Sequence, residues 1–181
     1  MADPACCTYV FVNCDIGFAA RLRAKLPHDP PLHYVARTTG TYDAFLVLRT
    51  DTPERADRYV AEEVAQAGGS NPLTCHAQRT SPNMLKYKAQ KDTEKFIVVT
   101  PKPGQADALF DRINDPKGSP LATHAGSATV DADGEALVLV GLASVTAAGT
   151  DDDETKLGKM AEVEKKDPMR RSAPPEPPSS A

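Results

Sequence analysis

Short runs of β-branched and aromatic residues recur along the chain, separated by stretches in which apolar residues fall three or four positions apart. Thr8 to Cys14, TYVFVNC, is the first such run and predicts a strand that ends at Asp15-Ile16-Gly17. From Gly17 to Leu26 the residues Phe18, Leu22 and Leu26 lie one turn apart, with Arg21, Arg23 and Lys25 on the other side. This predicts an amphipathic helix stopped by Pro27. Two strands follow, Leu32 to Arg37 and Ala44 to Arg49, joined by Thr38-Thr39-Gly40-Thr41-Tyr42-Asp43, where Gly40 can take the positive φ that a tight reversal requires. Thr52-Pro53-Glu54 opens a second helix, whose Ala56, Val60, Val64 and Ala67 trace one face as far as Gly68-Gly69. Pro72 to Thr80 then sets Leu73, Cys75 and Ala77 against polar neighbours and reads as an edge or closing strand.

Strand, helix, strand, strand, helix, strand is the ferredoxin-like order, so residues 8–81 are expected to form an α+β unit with a four-stranded antiparallel sheet. Helices cover one face of such a sheet. The other face carries Phe11, Tyr34 and Phe45 and needs a cover, so either self-association or an intramolecular pseudo-dimer is expected. Residues 82–95 read as a linker, with the polar Met84 to Asp92 as linker or short strand. A second, degenerate ferredoxin-like unit is expected over 96–166. It has a strand at Phe96 to Thr100 and a helix with Ala106, Leu109, Phe110 and Ile113 on one face. A hairpin of Leu121 to Val130 with Glu135 to Val145 follows across Asp131-Ala132-Asp133-Gly134, and then a helix from Thr150 to Lys166. Gly104 falls where Gly17 does, and Ala136 to Ala143 where Ala44 to Asp51 does. Residues 167–181, rich in proline and serine, read as a disordered tail whose Pro174 to Pro178 stretch could dock on an aromatic groove; a protein partner recruited there is one reading of the chain.

Composition narrows the function classes. The 181 residues carry a net charge of −4, with both signs interspersed, so no basic face for nucleic acid is expected. No apolar run approaches the ~18 residues of a membrane span, and the N-terminus lacks the pattern of a secretory signal, so a cytoplasmic protein without a membrane partner is expected. Cys6, Cys7, Cys14 and Cys75 are too few and too unevenly spaced for a disulfide framework; Cys75-His76 could bind a metal with Cys6 and Cys7, but no Cys-x-x-Cys or His-x-x-x-His spacing supports it, and Cys14 and Cys75 read as small buried hydrophobes. Asp151 to Glu154 lacks the alternating ligands and central glycine of a calcium loop and reads as the acidic start of a helix.

Candidate chemistry is confined to a few places. No phosphate loop, nucleophile elbow or His-Glu metal motif occurs, so no catalytic residue, metal or cofactor is assigned. His33 on the first hairpin and His76 on the last strand of the first unit could approach one another in the barrel and do acid/base work; a satisfied or surface histidine is the alternative for each. The turn Thr39, Gly40, Thr41, Tyr42, Asp43 places a phenol and a carboxylate beside turn amides, a composition suited to holding a small zwitterion; alternatively, Asp43 simply bonds turn amides and Tyr42 packs at the sheet edge.

The strand YVFVNC, the helix GFAARLRAKLP, the turn TTGTYDAFLVLRT and the helix TPERADRYVAEEV together resemble the effector-binding (regulation of amino-acid metabolism, RAM) domain of the leucine-responsive Lrp/AsnC regulators over Tyr9 to about Thr80. The resemblance implies a dimeric α/β barrel and an amino acid or related small metabolite bound at Thr39, Gly40, Tyr42 and Asp43, with Asp43 on its ammonium. Only about eight residues precede the first strand, so a stand-alone effector domain without the family's usual DNA-binding helix-turn-helix is expected. A non-enzymatic sensing and oligomerisation module acting in regulation through partner proteins is therefore the first expectation. An enzyme of the dimeric α/β barrel type, a small oxygenase or isomerase, is the alternative, and a structural adaptor is the third.

Overall fold

The computed structural model describes residues 6–24, 31–85, 93–143 and 147–171, which divide into two compact units at His76 and Ala77. In the first unit, β1 (Cys6–Asn13), α1 (Phe18–Ala24), β2 (Leu32–Thr39), β3 (Ala44–Thr50), α2 (Pro53–Tyr59) and the start of β4 (Ser70–Thr80) follow in order. β1 pairs antiparallel with both β3 and β4, and β2 pairs with β3, giving the order β4-β1-β3-β2. Thr52 caps α2 by accepting from Arg55 N at 3.3 Å, with Pro53 at the first helical position. A π-helical turn, Val60–Val64, continues that helix.

Side chains on a strand point alternately to the two faces, and this sorts the first sheet cleanly. Val10, Val12, Val35, Leu46 and Leu48 pack with Phe18 and Leu22 of α1 and with Ala56, Tyr59 and Val64 of the second helix. Tyr9, Phe11, Tyr34, Phe45, Val47 and Cys75 occupy the alternate positions and are also withdrawn from solvent.

The second unit repeats this plan. β5 (Lys95–Pro101), α3 (Ala106–Ile113), β6 (His124–Ala132), β7 (Glu135–Leu142), α4 (Ala147–Gly158) and β8 (Val163–Arg171) give the strand order β8-β5-β7-β6. Ile97, Val99, Val138 and Val140 pack with Leu109, Ile113 and Leu157 on the helix side. The α+β fold class, with a ferredoxin-like unit and a second such unit, is what the structure has.

Several boundaries differ from expectation for identifiable reasons. The helix expected over Thr150 to Lys166 ends at Gly158, and Val163–Arg171 is a strand, so five residues assigned to the tail belong to the sheet. Leu157, Met160 and Val163 are all buried in one cluster, as their helical spacing suggested. The chain turns after Gly158, however, where an added Cβ would stand 2.8 Å from Lys166 Cε, and Val163 reaches the cluster from β8. The β6–β7 turn is Asp133-Gly134 alone, both at positive φ (52° and 84°), because Ala132 already pairs with Glu135. This hairpin is also longer than its counterpart. Arg37 pairs with Ala44 where Thr129 pairs with Val138, so Val138 rather than Ala136 stands where Ala44 does. Pro82–Leu85 forms a 3₁₀ turn. The expectations for Lys25 and Leu26, for 86–92, for 144–146 and for the tail from 172 lie outside the described residues.

Polar clusters brace the second unit. The Lys95 side chain, 5% exposed, donates to Asp151 and to Glu154, both at 2.7 Å; Lys166 also bonds Glu154, and Arg170 also bonds Asp151. Asp153, 1% exposed, accepts from Ala122 N at 3.2 Å and from Thr123 N and Oγ1, holding the approach to β6.

Candidate active site

The expected ligand turn is present, but its carboxylate has internal partners. Gly40 sits at φ 121°, and Thr38 closes the loop by donating its N–H to Asp43 O at 2.8 Å and its hydroxyl to Tyr42 O at 2.9 Å. Asp43 Oδ2 accepts from Cys14 N at 3.0 Å and from Asn13 Nδ2 at 3.3 Å, and Asn13 Nδ2 also donates to Thr41 O at 2.9 Å. The carboxylate thus ties the β2–β3 turn to the end of β1. Burial, then Asp43 and Asp15, push the Cys14 thiol up to about 11. Asp43→Ala is expected to lower unfolding free energy by about 1 kcal/mol, read from urea titrations, since it removes the acceptor of a backbone N–H.

Tyr42 belongs as much to the aromatic face as to the turn. Its ring lies 5.8 Å from Phe11, which packs 4.9 Å from Phe45. Phe45 is in turn stacked with Tyr9 at 6.1 Å and meets Tyr34 edge-on at 6.3 Å. The topology explains the cluster: β3 lies between β1 and β2, so Phe45 stands opposite Phe11 on one side and Ala36 on the other. The phenol oxygens of Tyr9 and Tyr34 are buried within it. Cys75, opposite Tyr9, is also on this face, and burial pushes its thiol up to about 12, so it is a neutral apolar group there.

One end of the face is polar. Arg49, exposed at the end of β3, pairs in register with Cys7. His33 sits where β2 bulges between Leu32 and Tyr34. Burial first, and then the Arg49 cation, hold its imidazole below the ordinary histidine range, so it is neutral near pH 7. A neutral imidazole beside a guanidinium can accept a proton while the cation holds the anion left behind.

The expected approach of His33 and His76 does not occur. Within the first unit they lie on β2 and β4, with β3 and β1 between them. His76 stands opposite Thr8, with Nδ1 3.0 Å from Thr8 Oγ1 and Nε2 2.8 Å from Asp57 Oδ1. Hydroxyl, imidazole and carboxylate follow one another as in nucleophilic triads, yet Thr8 is fully buried in the strand ladder. What this chain does is tether α2 to β4. His124 similarly meets a fully buried hydroxyl, Ser127 Oγ, at 3.1 Å.

Among the described residues no His, Cys, Asp and Glu cluster is placed to hold a metal ion, and no helix is long and apolar enough to cross a membrane. Tyr9 and Arg49 belong to one surface that the linear sequence does not bring together. The signal was the i, i+2 spacing of Tyr9 and Phe11 and of Phe45, Val47 and Arg49; what was lacking was which strands are neighbours.

No protein-family model and no curated protein matches the chain in sequence. Solved structures do resemble it. A proposed monooxygenase from Lactobacillus acidophilus NCFM superposes with TM-score 0.51 at 9% identity, covering 93% of each chain. An anthrone oxidase-like protein gives 0.52 at 10% identity over 94% of this chain and 92% of that one. The siroheme decarboxylase NirDL gives 0.66 at 7% identity over 96% of this chain and 74% of that one. These comparisons correct the expectation of a non-enzymatic sensing module: these three similar proteins are described by the reactions of enzymes. At such identities the likeness establishes architecture, and the chain has the ferredoxin-like fold of the dimeric α/β barrel proteins.

Proposed function

We propose that the protein is a small oxygenase that acts on a planar, hydroxylated aromatic substrate at the aromatic face of the first unit. The carrying observation is the run of rings Tyr42, Phe11, Phe45, Tyr9 and Tyr34, which ends at the neutral His33 and the exposed Arg49. Because these rings are withdrawn from solvent, a flat substrate would have to displace what covers the face to stack on them, and its hydroxyl at the polar end would then give its proton to the imidazole. Arg49 holds the oxyanion that results, and this electron-rich ring takes one atom of dioxygen at a ring carbon, the substrate itself giving up the two hydrogens and two electrons with which the other atom leaves as water, so that a quinone is the product. Support also comes from the similar structures covered almost end to end, the proposed monooxygenase and the anthrone oxidase-like protein; the decarboxylase is covered over three quarters of its length.

The test is oxygen uptake and product mass with anthrone and 1-naphthol as probes. Wild type should consume oxygen with at least one of them, and His33→Asn should lower kcat/KM by about a hundredfold, the range of a lost general base. Tyr34→Phe should change KM more than kcat. Absence of uptake with both probes, or an unchanged rate in His33→Asn, overturns the reading.

A further inference from the structure

Among the described residues Ile16 is the one large hydrophobic side chain left exposed, at 80%. Its loop is braced rather than loose. Asp15 Oδ1 accepts from Gly17 N at 3.1 Å and from Arg21 Nη2 at 2.5 Å, while Arg21 Nε donates to Ala67 O at 3.0 Å. A Cβ on Gly17 would stand 2.7 Å from Arg21 Nη1, so the guanidinium lies close over the turn. An apolar side chain held out on a fixed tip is preorganised to enter something.

The second unit contains a matching recess. An open cleft of about 520 Å³ lies between the loop that follows β5, the tip of the β6–β7 hairpin and the start of β8. Its apolar lining includes Pro101, Ala106 and Ala136, and its charged lining is Lys102, Glu135, Glu164 and Asp107, the last already paired with Arg79 at 3.0 Å. Both walls are fixed: Asp131 Oδ1 accepts from Gly134 N at 2.7 Å, and Lys102 N donates to Glu162 O at 2.8 Å.

We propose that the cleft of one chain receives Ile16 of a second copy, a head-to-tail contact between the first unit of one molecule and the second unit of the next. Charge selects this occupant. Asp15 and Arg21 flank Ile16 with side chains 68% and 45% exposed, and the cleft offers Lys102 to the carboxylate and Glu135 and Glu164 to the guanidinium. Such a contact uses different surfaces on the two partners, so it propagates until a ring closes or a filament forms.

Sedimentation velocity of the full chain over a wide concentration range tests this. Wild type is expected to associate reversibly beyond the dimer. Ile16→Ser, which removes the knob, and Ala136→Arg, which fills the recess, should each weaken association at least about tenfold. Both positions are exposed, so the far-ultraviolet spectrum and melting temperature should stay as in wild type. Mixed one to one, the two variants should form a dimer and nothing larger, since only one knob and one recess remain functional. A wild type that stays monomeric, a variant that associates like wild type, or a mixture that fails to pair would each overturn the proposal.

Discussion

Phe45→Ala is expected to lower the unfolding free energy by about 3–5 kcal/mol, the range for emptying a fully buried aromatic site. The upper part of that range applies here. Phe45 is 0% exposed, and its ring contacts those of Tyr9, Phe11 and Tyr34, so its loss removes packing partners from all three at once. Beyond area, each ring pair contributes roughly 0.5–1.5 kcal/mol of its own. Guanidinium denaturation monitored by tyrosine fluorescence gives the difference directly. Phe45→Leu, which keeps most of the volume, should recover more than half of the loss. A loss under 1 kcal/mol for Phe45→Ala would mean that the rings do not form one packed surface.

Lys95→Met is expected to cost about 3 kcal/mol, because it keeps the aliphatic stem and removes the cation of a nearly buried pair. Asp151 and Glu154 would then share only Lys166 and Arg170, which reach them from β8. The acid limb of the stability curve provides the second readout. Hydrogen bonds and attraction from Lys95, helped by Arg170, hold the Asp151 carboxyl below its usual range. For Glu154 burial acts to raise it, but Lys166 and Lys95 outweigh that and the net displacement is also downward. A carboxyl depressed in the folded state stabilises the fold above its unfolded value, and that contribution is lost as pH falls through the folded value. The wild-type curve should therefore drop below about pH 4, the ordinary carboxylate range, and Lys95→Met should show a shallower drop over the same interval. Parallel curves would show that Lys95 is not what holds these acids.

Local pattern made the elements legible wherever one face of a strand or helix was buried. TYVFVNC, AFLVLR and FIVVT became β1, β3 and β5, and Thr52-Pro53-Glu54 opened α2, because alternation, β-branching and cap chemistry are properties of adjacent residues. The end of the second unit misled for a physical reason. Leu157, Met160 and Val163 satisfy helical spacing, and a turn brings the last of them to the same cluster from a strand. The candidate site was legible in its parts only. The turn from Thr39 to Asp43 was recognisable as a turn, but the partners that engage the Asp43 carboxylate are Asn13 at the end of β1 and Cys14 just after it, about thirty residues earlier. Likewise the rings were visible one strand at a time, while their union depends on β3 lying between β1 and β2.

A protein built by pairing two identical subunits must show every side chain twice. Here two units of like strand order sit in one chain, and each can diverge. Tyr9, Tyr34 and Phe45 on the first sheet have Phe96, Val98, Leu137, Leu139 and Met169 as the corresponding set on the second, with a single ring among them. Chemistry confined to the ring-rich sheet then has a stoichiometry of one event per polypeptide, with no symmetry mate to compete for the same substrate.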